Sequence, residues 1–167
     1  IVMTLCDLGY LVSDGAQSQF RLGVKSALLG YSALSALDLE DLALPALQRL
    51  FRDLEESTVL SVLTDDQATD VVSLRRPGLH PTLGQRFPLY CTPGGKVLLA
   101  FMPPKQRDAI LARLELVKHS KYTLTDRTAL EKEIIKVHDV GYATVEEEML
   151  PGICGAGAPI FDAKGGC

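Results

Sequence analysis

An excess of basic residues is the first thing this sequence lacks. Lys and Arg number 17 against 21 Asp and Glu, giving a formal net charge of -4 and a pI near 5.4. Surplus positive charge is what holds a phosphate backbone, so the balance argues against non-specific nucleic-acid binding by the chain as a whole, although not against one short contact element. Also missing are an apolar run long enough to span a bilayer and a charged-then-apolar leader. Those two absences predict a soluble, cytoplasmic protein with no membrane partner. Cysteine is sparse: Cys6, Cys91, Cys154 and Cys167 follow neither metal-ligand spacing nor the density of a disulfide scaffold. Internal repeats and low-complexity tracts are absent as well.

Groups capable of catalysis are present but unorganised. Cys91 and Cys154 could act as nucleophiles, and His80, His119 and His138 as bases, yet none stands in a nucleophile motif. The carboxylates show no paired ligand spacing. The expectation is therefore no enzyme, no cofactor and no metal.

What is present is a chain of 167 residues, 47% of them hydrophobic, enough for one ordinary domain and a small appendage. "IVMTLCDLGYL" reads as the last turns of a helix stopped at Gly9, and "YLVSDGAQSQFRL" as a hairpin turning at Asp14-Gly15. Val24 to about Leu37 predicts a connecting helix. In the next segment Leu42, Ala43, Ala46, Leu47, Leu50, Phe51 and Leu54 form one helical stripe, with an irregularity expected at Pro45. "TVLSVLT" and "TDVVSLRR" then predict two antiparallel strands, and "PGLHPTLGQRFP" an irregular crossing. Helices follow after Thr92, over roughly residues 105 to 114, and from an Asp126 cap to Gly141. "YATVEEE" and "CGAGAPIF" close as strands joined by a turn at Pro151-Gly152. The fold class is α+β, an antiparallel sheet flanked by helices behind a helical N-terminal part. Both ends look cut from a longer polypeptide.

This order of segments resembles the IclR family of bacterial transcriptional regulators. "LGYLVSDGAQSQFRLG" is similar to the end of that family's recognition helix and its wing. "FPLYCTPGGKVLLA" is similar to its effector-domain helix, and "LTDRTALEKEIIKVHDVGYATVEEEMLPG" to its late helix, "GYA" strand and acidic turn. The resemblance implies the end of a winged helix-turn-helix at 1-23, a linker helix at 24-39 and a GAF-like effector domain at 40-167 lacking its last strands. It also implies operator DNA and a small organic acid as partners, and a homodimer or homotetramer.

Thr92 caps and Pro93 suits the first helical position, so capping alone explains both. It does not explain Gly94 and Gly95, since each glycine weakens a helix by roughly 1 kcal/mol relative to Ala. Their amides lie at the positive end of the helix dipole, where an anion binds. The loop reads as both cap and cradle. With the resemblance, the effector set becomes Tyr90, Cys91, Thr92, Gly94, Gly95, Val145, Glu147, Cys154 and Gly155. Val145 stands where the family has an acid, and Gly155 where it has a cysteine, with Cys154 one residue early. That depletion of polar groups points to an aromatic or larger acid. The three glutamates could equally be a solvated strand end. Thr4, Ser13, Gln19 and Arg21 are the DNA-contact candidates, although plain packing would also account for them. The alternative to a DNA-binding regulator is a GAF-like ligand-binding or dimerisation module acting through protein contacts.

Overall fold

The computed structural model describes residues 1–15, 19–35, 39–78 and 82–167. It divides into two compact units, Ile1–Thr58 and Val59–Cys167. The turn expected at Asp14-Gly15 extends into residues outside the described set, and His80 and the end of the connecting helix also lie outside it.

The first unit opens with α1 (Val2–Asp7), which Gly9 stops with a φ of 79°. Strands β1 (Leu11–Ser13) and β2 (Phe20–Leu22) pair antiparallel, with Leu11 opposite Leu22 and Ser13 opposite Phe20. The hairpin is closed by Gly23, whose N–H reaches Tyr10 O at 2.7 Å. A Cβ on Gly23 would lie 2.3 Å from Gly9 O, so only glycine permits this closure. Helices α2 (Val24–Ser35) and α3 (Leu39–Leu54) follow. α3 runs without a break through Pro45. Proline withholds one N–H from the helix, and Pro45 itself is exposed. Of the expected apolar stripe only Leu47 is buried, while Leu42, Leu50 and Leu54 are exposed.

In the second unit, β3 (Thr58–Thr64, whose first residue belongs to the first unit) turns at Asp65 and Asp66 into β4 (Gln67–Leu74). The second strand thus starts earlier than the sequence suggested, because Asp65 takes the left-handed conformation that shortens the turn. The crossing segment is less irregular than expected. Its end, β5 (Arg86–Pro88), pairs antiparallel with β4, and Pro88 is tolerated because β5 is an edge strand. Helices α4 (Pro93–Phe101), α5 (Pro104–Arg113) and α6 (Arg127–Val140) come next. Asp126 caps α6 through Ala129 N at 2.8 Å, and Gly141 ends it in the left-handed region. Strands β6 (Ala143–Glu146) and β7 (Cys154–Gly157) form a second antiparallel sheet. β6 is shorter than expected because Glu147 adopts a φ of 52° and turns the chain.

The core sits around α4, buried from Gly95 to Ala100. Leu130, Ile134 and Val137 of α6, Ile110 and Leu111 of α5, and Ala68 of β4 close over it. α4 packs on β4 and on both strands of the β6–β7 ribbon. A helix apolar on every side must be enclosed in this way. Its start is thereby held in a fixed place.

Candidate functional site

The α4 start is built by local hydrogen bonding. Thr92 is extended, accepts from Gly95 N at 3.3 Å and donates to Pro88 O at 2.8 Å. The structure therefore gives Gly95 a different reason for being glycine. A Cβ there would stand 2.5 Å from both Cα and O of Leu89, and its amide is already used by the cap. Gly95 is a close-packing glycine whose amide serves the cap. Gly94 differs: its N–H has no acceptor among the described residues, and a Cβ on it would meet Ser61 Oγ at 3.4 Å.

β7 lies against the same turn. A Cβ on Gly155 would be 3.0 Å from Pro93 Cγ, and one on Gly157 would be 3.0 Å from Pro93 C and 3.2 Å from Gly94 N. Gly155 thus makes room for the proline ring. Val145 pairs with Gly155 and is buried on the same face of the ribbon. Glu146 and Cys154 pair with each other on the opposite, exposed face. Cys154 therefore cannot stand in for the expected cysteine, because alternate strand residues point to opposite sides. Glu147, half-buried, begins the β6–β7 turn.

Tyr90 and Cys91 face the interior. The Tyr90 hydroxyl donates to Val117 O at 2.8 Å and lies 3.0 Å from His119 Nε2. Burial pushes its pKa up. The Cys91 thiol is pushed up to about 12, first by burial and then by the neighbouring Glu148 carboxylate, with Lys96 acting the other way. A thiol held neutral is no nucleophile.

Two groups outside the expected set stand out. Lys96, 1% exposed, meets Glu148 Oε1 at 2.5 Å and ties α4 to the β6–β7 turn. Thr123 fixes the same turn by donating to Glu148 O at 2.7 Å. A lysine inside the apolar run "GGKVLLAF" was the available signal, since a buried cation requires a counter-charge. The second group centres on Asp70, 4% exposed, which accepts from Ser61 Oγ at 2.8 Å, from the Thr82 hydroxyl, and from Arg75 Nη2 at 3.5 Å. Arg75 is held in turn by Ser73 Oγ at 3.0 Å. Nothing local in the sequence marks this cluster.

Of the DNA-contact candidates, Thr4 lies on α1, Ser13 on β1, Arg21 on β2 and Gln19 just before it, all exposed. The register sets Ser13 opposite Phe20 and Arg21 opposite Val12, so Ser13 and Arg21 lie on opposite faces of the ribbon, and Asp14 N–H donates to Gln19 O at 3.0 Å. Among the described residues no group of three or more His, Cys, Asp or Glu could hold a metal, and no helix is long and apolar enough to cross a membrane.

Antiparallel sheets flanked by helices, with α4 packed on β4, β6 and β7, define the class: an α+β effector-binding domain. The chain belongs to the IclR family, since residues 31–167 match the family described as bacterial transcriptional regulator IclR C-terminal. It is 35% identical over 161 residues to the HTH-type transcriptional regulator Rv1719 of Mycobacterium tuberculosis, covering 95% of this chain and 61% of that protein. The chain thus spans about three fifths of the length of this curated relative. A solved structure from Rhodococcus sp. RHA1 superposes with a TM-score of 0.84 at 32% identity, covering 98% of this chain and 66% of that one. An IclR homolog from Microbacterium hydrocarbonoxydans, solved in complex with 4-hydroxybenzoate, superposes with a TM-score of 0.81 at 25% identity, covering 97% and 68%.

Proposed function

We propose that this chain is the sensing part of a DNA-binding transcriptional regulator that responds to a small organic acid and controls a catabolic operon. In this reading residues 1-23 end a winged helix-turn-helix, 24-39 form a linker and 40-167 bind the effector. Thr4, Ser13, Gln19 and Arg21 are the proposed operator contacts, and the regulator works as a homodimer or homotetramer. The observation that carries the reading is the Gly94 amide, without an acceptor among the described residues, at the positive end of α4, within a domain whose neighbour was solved with an aromatic acid. Gly94 and Val145 remain the proposed effector contacts, with Thr92, Gly95 and Gly155 shaping the turn behind them.

Val145 supplies apolar area where a charge would favour a small polar ligand. A ring-bearing acid gains about 25 cal/mol per Å² of apolar surface buried, which a two- or three-carbon keto acid cannot match. A thermal-shift screen at matched concentration tests this. Benzoate-like and dicarboxylic acids are expected to raise the melting temperature more than glyoxylate or pyruvate. Stabilisation by the keto acids alone would contradict the ligand class.

A further inference from the structure

Residues 117–123, between α5 and α6, form no helix or strand and are held by two hydroxyl groups. The first belongs to Tyr90. Its one proton goes to Val117 O at 2.8 Å, so His119 Nε2, at 3.0 Å, is the donor to the phenol oxygen. The second belongs to the buried Thr123. Thr123 Oγ1 donates to Glu148 O at 2.7 Å and accepts from His119 N at 3.0 Å and Ser120 N at 2.8 Å. A carbonyl only accepts and a backbone N–H only donates, so the direction of these three bonds is fixed. The hydroxyl's proton and both its lone pairs are used.

Both anchors engage the segments that flank the α4 start. Tyr90 lies just before Thr92, the cap of α4. Glu148 is pinned twice, its carbonyl by Thr123 and its carboxylate by Lys96 at 2.5 Å. Glu147 N donates to Ile153 O at 2.9 Å and closes the turn after β6, so holding Glu148 holds the end of the β6–β7 ribbon. The ribbon in turn lies on the α4 start without slack. Cβ atoms on Gly155 and Gly157 would each stand 3.0 Å from an atom of Pro93, closer than ordinary van der Waals contact. Packing this close transmits small shifts of one segment to the other. Lys96 grips only the side chain of Glu148, which can rotate, whereas Thr123 grips the backbone that carries the ribbon.

We propose that Thr123 is a positioning residue of the effector site: by fixing Glu148 it sets how closely the β6–β7 ribbon lies on the α4 start, and with that the shape of the site. This rests on the organic-acid reading above, which places the effector at that start.

Two substitutions separate the hydroxyl from the space it fills. Thr123→Val keeps the shape but leaves Glu148 O without its donor, and Thr123→Ser keeps the hydroxyl. Amide hydrogen exchange on the 167-residue chain reads the ribbon with no ligand present. Thr123→Val is expected to speed exchange about tenfold across residues 143–157, the worth of one lost hydrogen bond, while residues 130–137 of α6 stay unchanged. Thr123→Ser should match the wild type. In calorimetry at a temperature where all three proteins are folded, 4-hydroxybenzoate should bind Thr123→Val about tenfold more weakly and Thr123→Ser within about threefold of the wild type. Faster exchange confined to residues 117–123, or spread evenly along the chain, would overturn the proposal, since Thr123 would then brace only its own loop or the fold at large. Unchanged affinity in Thr123→Val would overturn it too. Failure of the wild type to bind 4-hydroxybenzoate would instead count against the organic-acid reading, and the exchange pattern would still decide the role of Thr123.

Discussion

Gly94 and Gly95 are adjacent, look alike in the sequence and carry opposite consequences. A Cβ at Gly95 collides with the backbone of Leu89 at 2.5 Å, and backbone cannot rotate aside. A Cβ at Gly94 meets a serine hydroxyl at 3.4 Å, which is ordinary contact. Gly95→Ala is therefore expected to lose about 1–3 kcal/mol or more of stability through overpacking. Gly94→Ala should leave stability unchanged or raise it by up to about 1 kcal/mol, from better helix propensity. Effector affinity should nonetheless fall in Gly94→Ala, because the added methyl group occupies space at the helix start proposed to bind the effector. Chemical denaturation and calorimetry on the two variants separate these effects. Equal stability losses would show that the packing distinction is wrong.

At the scale of elements, the Lys96–Glu148 pair joins the first turn of α4 to the turn after β6. Both side chains are nearly enclosed, so solvent screening is small, and the remaining partner suffers when one is removed. Glu148→Ala strands a buried ammonium and should cost about 3–5 kcal/mol. Lys96→Met combined with Glu148→Leu should recover most of that loss, because two apolar groups need no counter-charge. Urea melts of the single and double variants give the coupling directly. Additive losses would mean that the pair contributes nothing as a pair. This contact also marks how far the sequence could be read. Elements were legible wherever the cause is local: the Asp126 cap, the Gly141 stop, the Thr92–Pro93 start and the β-branched run of β3. The pairings Lys96–Glu148 and Ser61–Asp70, and the approach of Ser61 to Gly94, depend on tertiary packing that no short window contains. Cys154 was misplaced for a related reason. A shift of one residue along a strand moves a side chain to the other face, and only the register of Glu146 with Cys154 decides which face that is.

The whole molecule raises the question of what it can bind unaided. Across residues 1 to 25, Arg21 and Lys25 balance Asp7 and Asp14, so the exposed hairpin has no surplus charge to release counterions from DNA. The chain as a whole carries a net charge of -4, which opposes approach to a phosphate backbone. Hydrogen bonds from Ser13, Gln19 and Arg21 could position a wing, but contacts of that kind orient a protein already held by other residues. The 167-residue chain is therefore expected to show no sequence-specific gel shift at micromolar concentration and physiological salt. A chimera in which residues 1–23 are replaced by the complete head of the Mycobacterium tuberculosis relative should bind that relative's operator. Its affinity should fall steeply as salt is raised, because each neutralised phosphate adds to the slope. Addition of the effector should then change the chimera's affinity while leaving the head unaltered. Tight, specific binding by the unmodified chain would contradict the charge argument. A chimera that binds DNA identically with and without effector would favour a ligand-binding or dimerisation module acting through protein contacts.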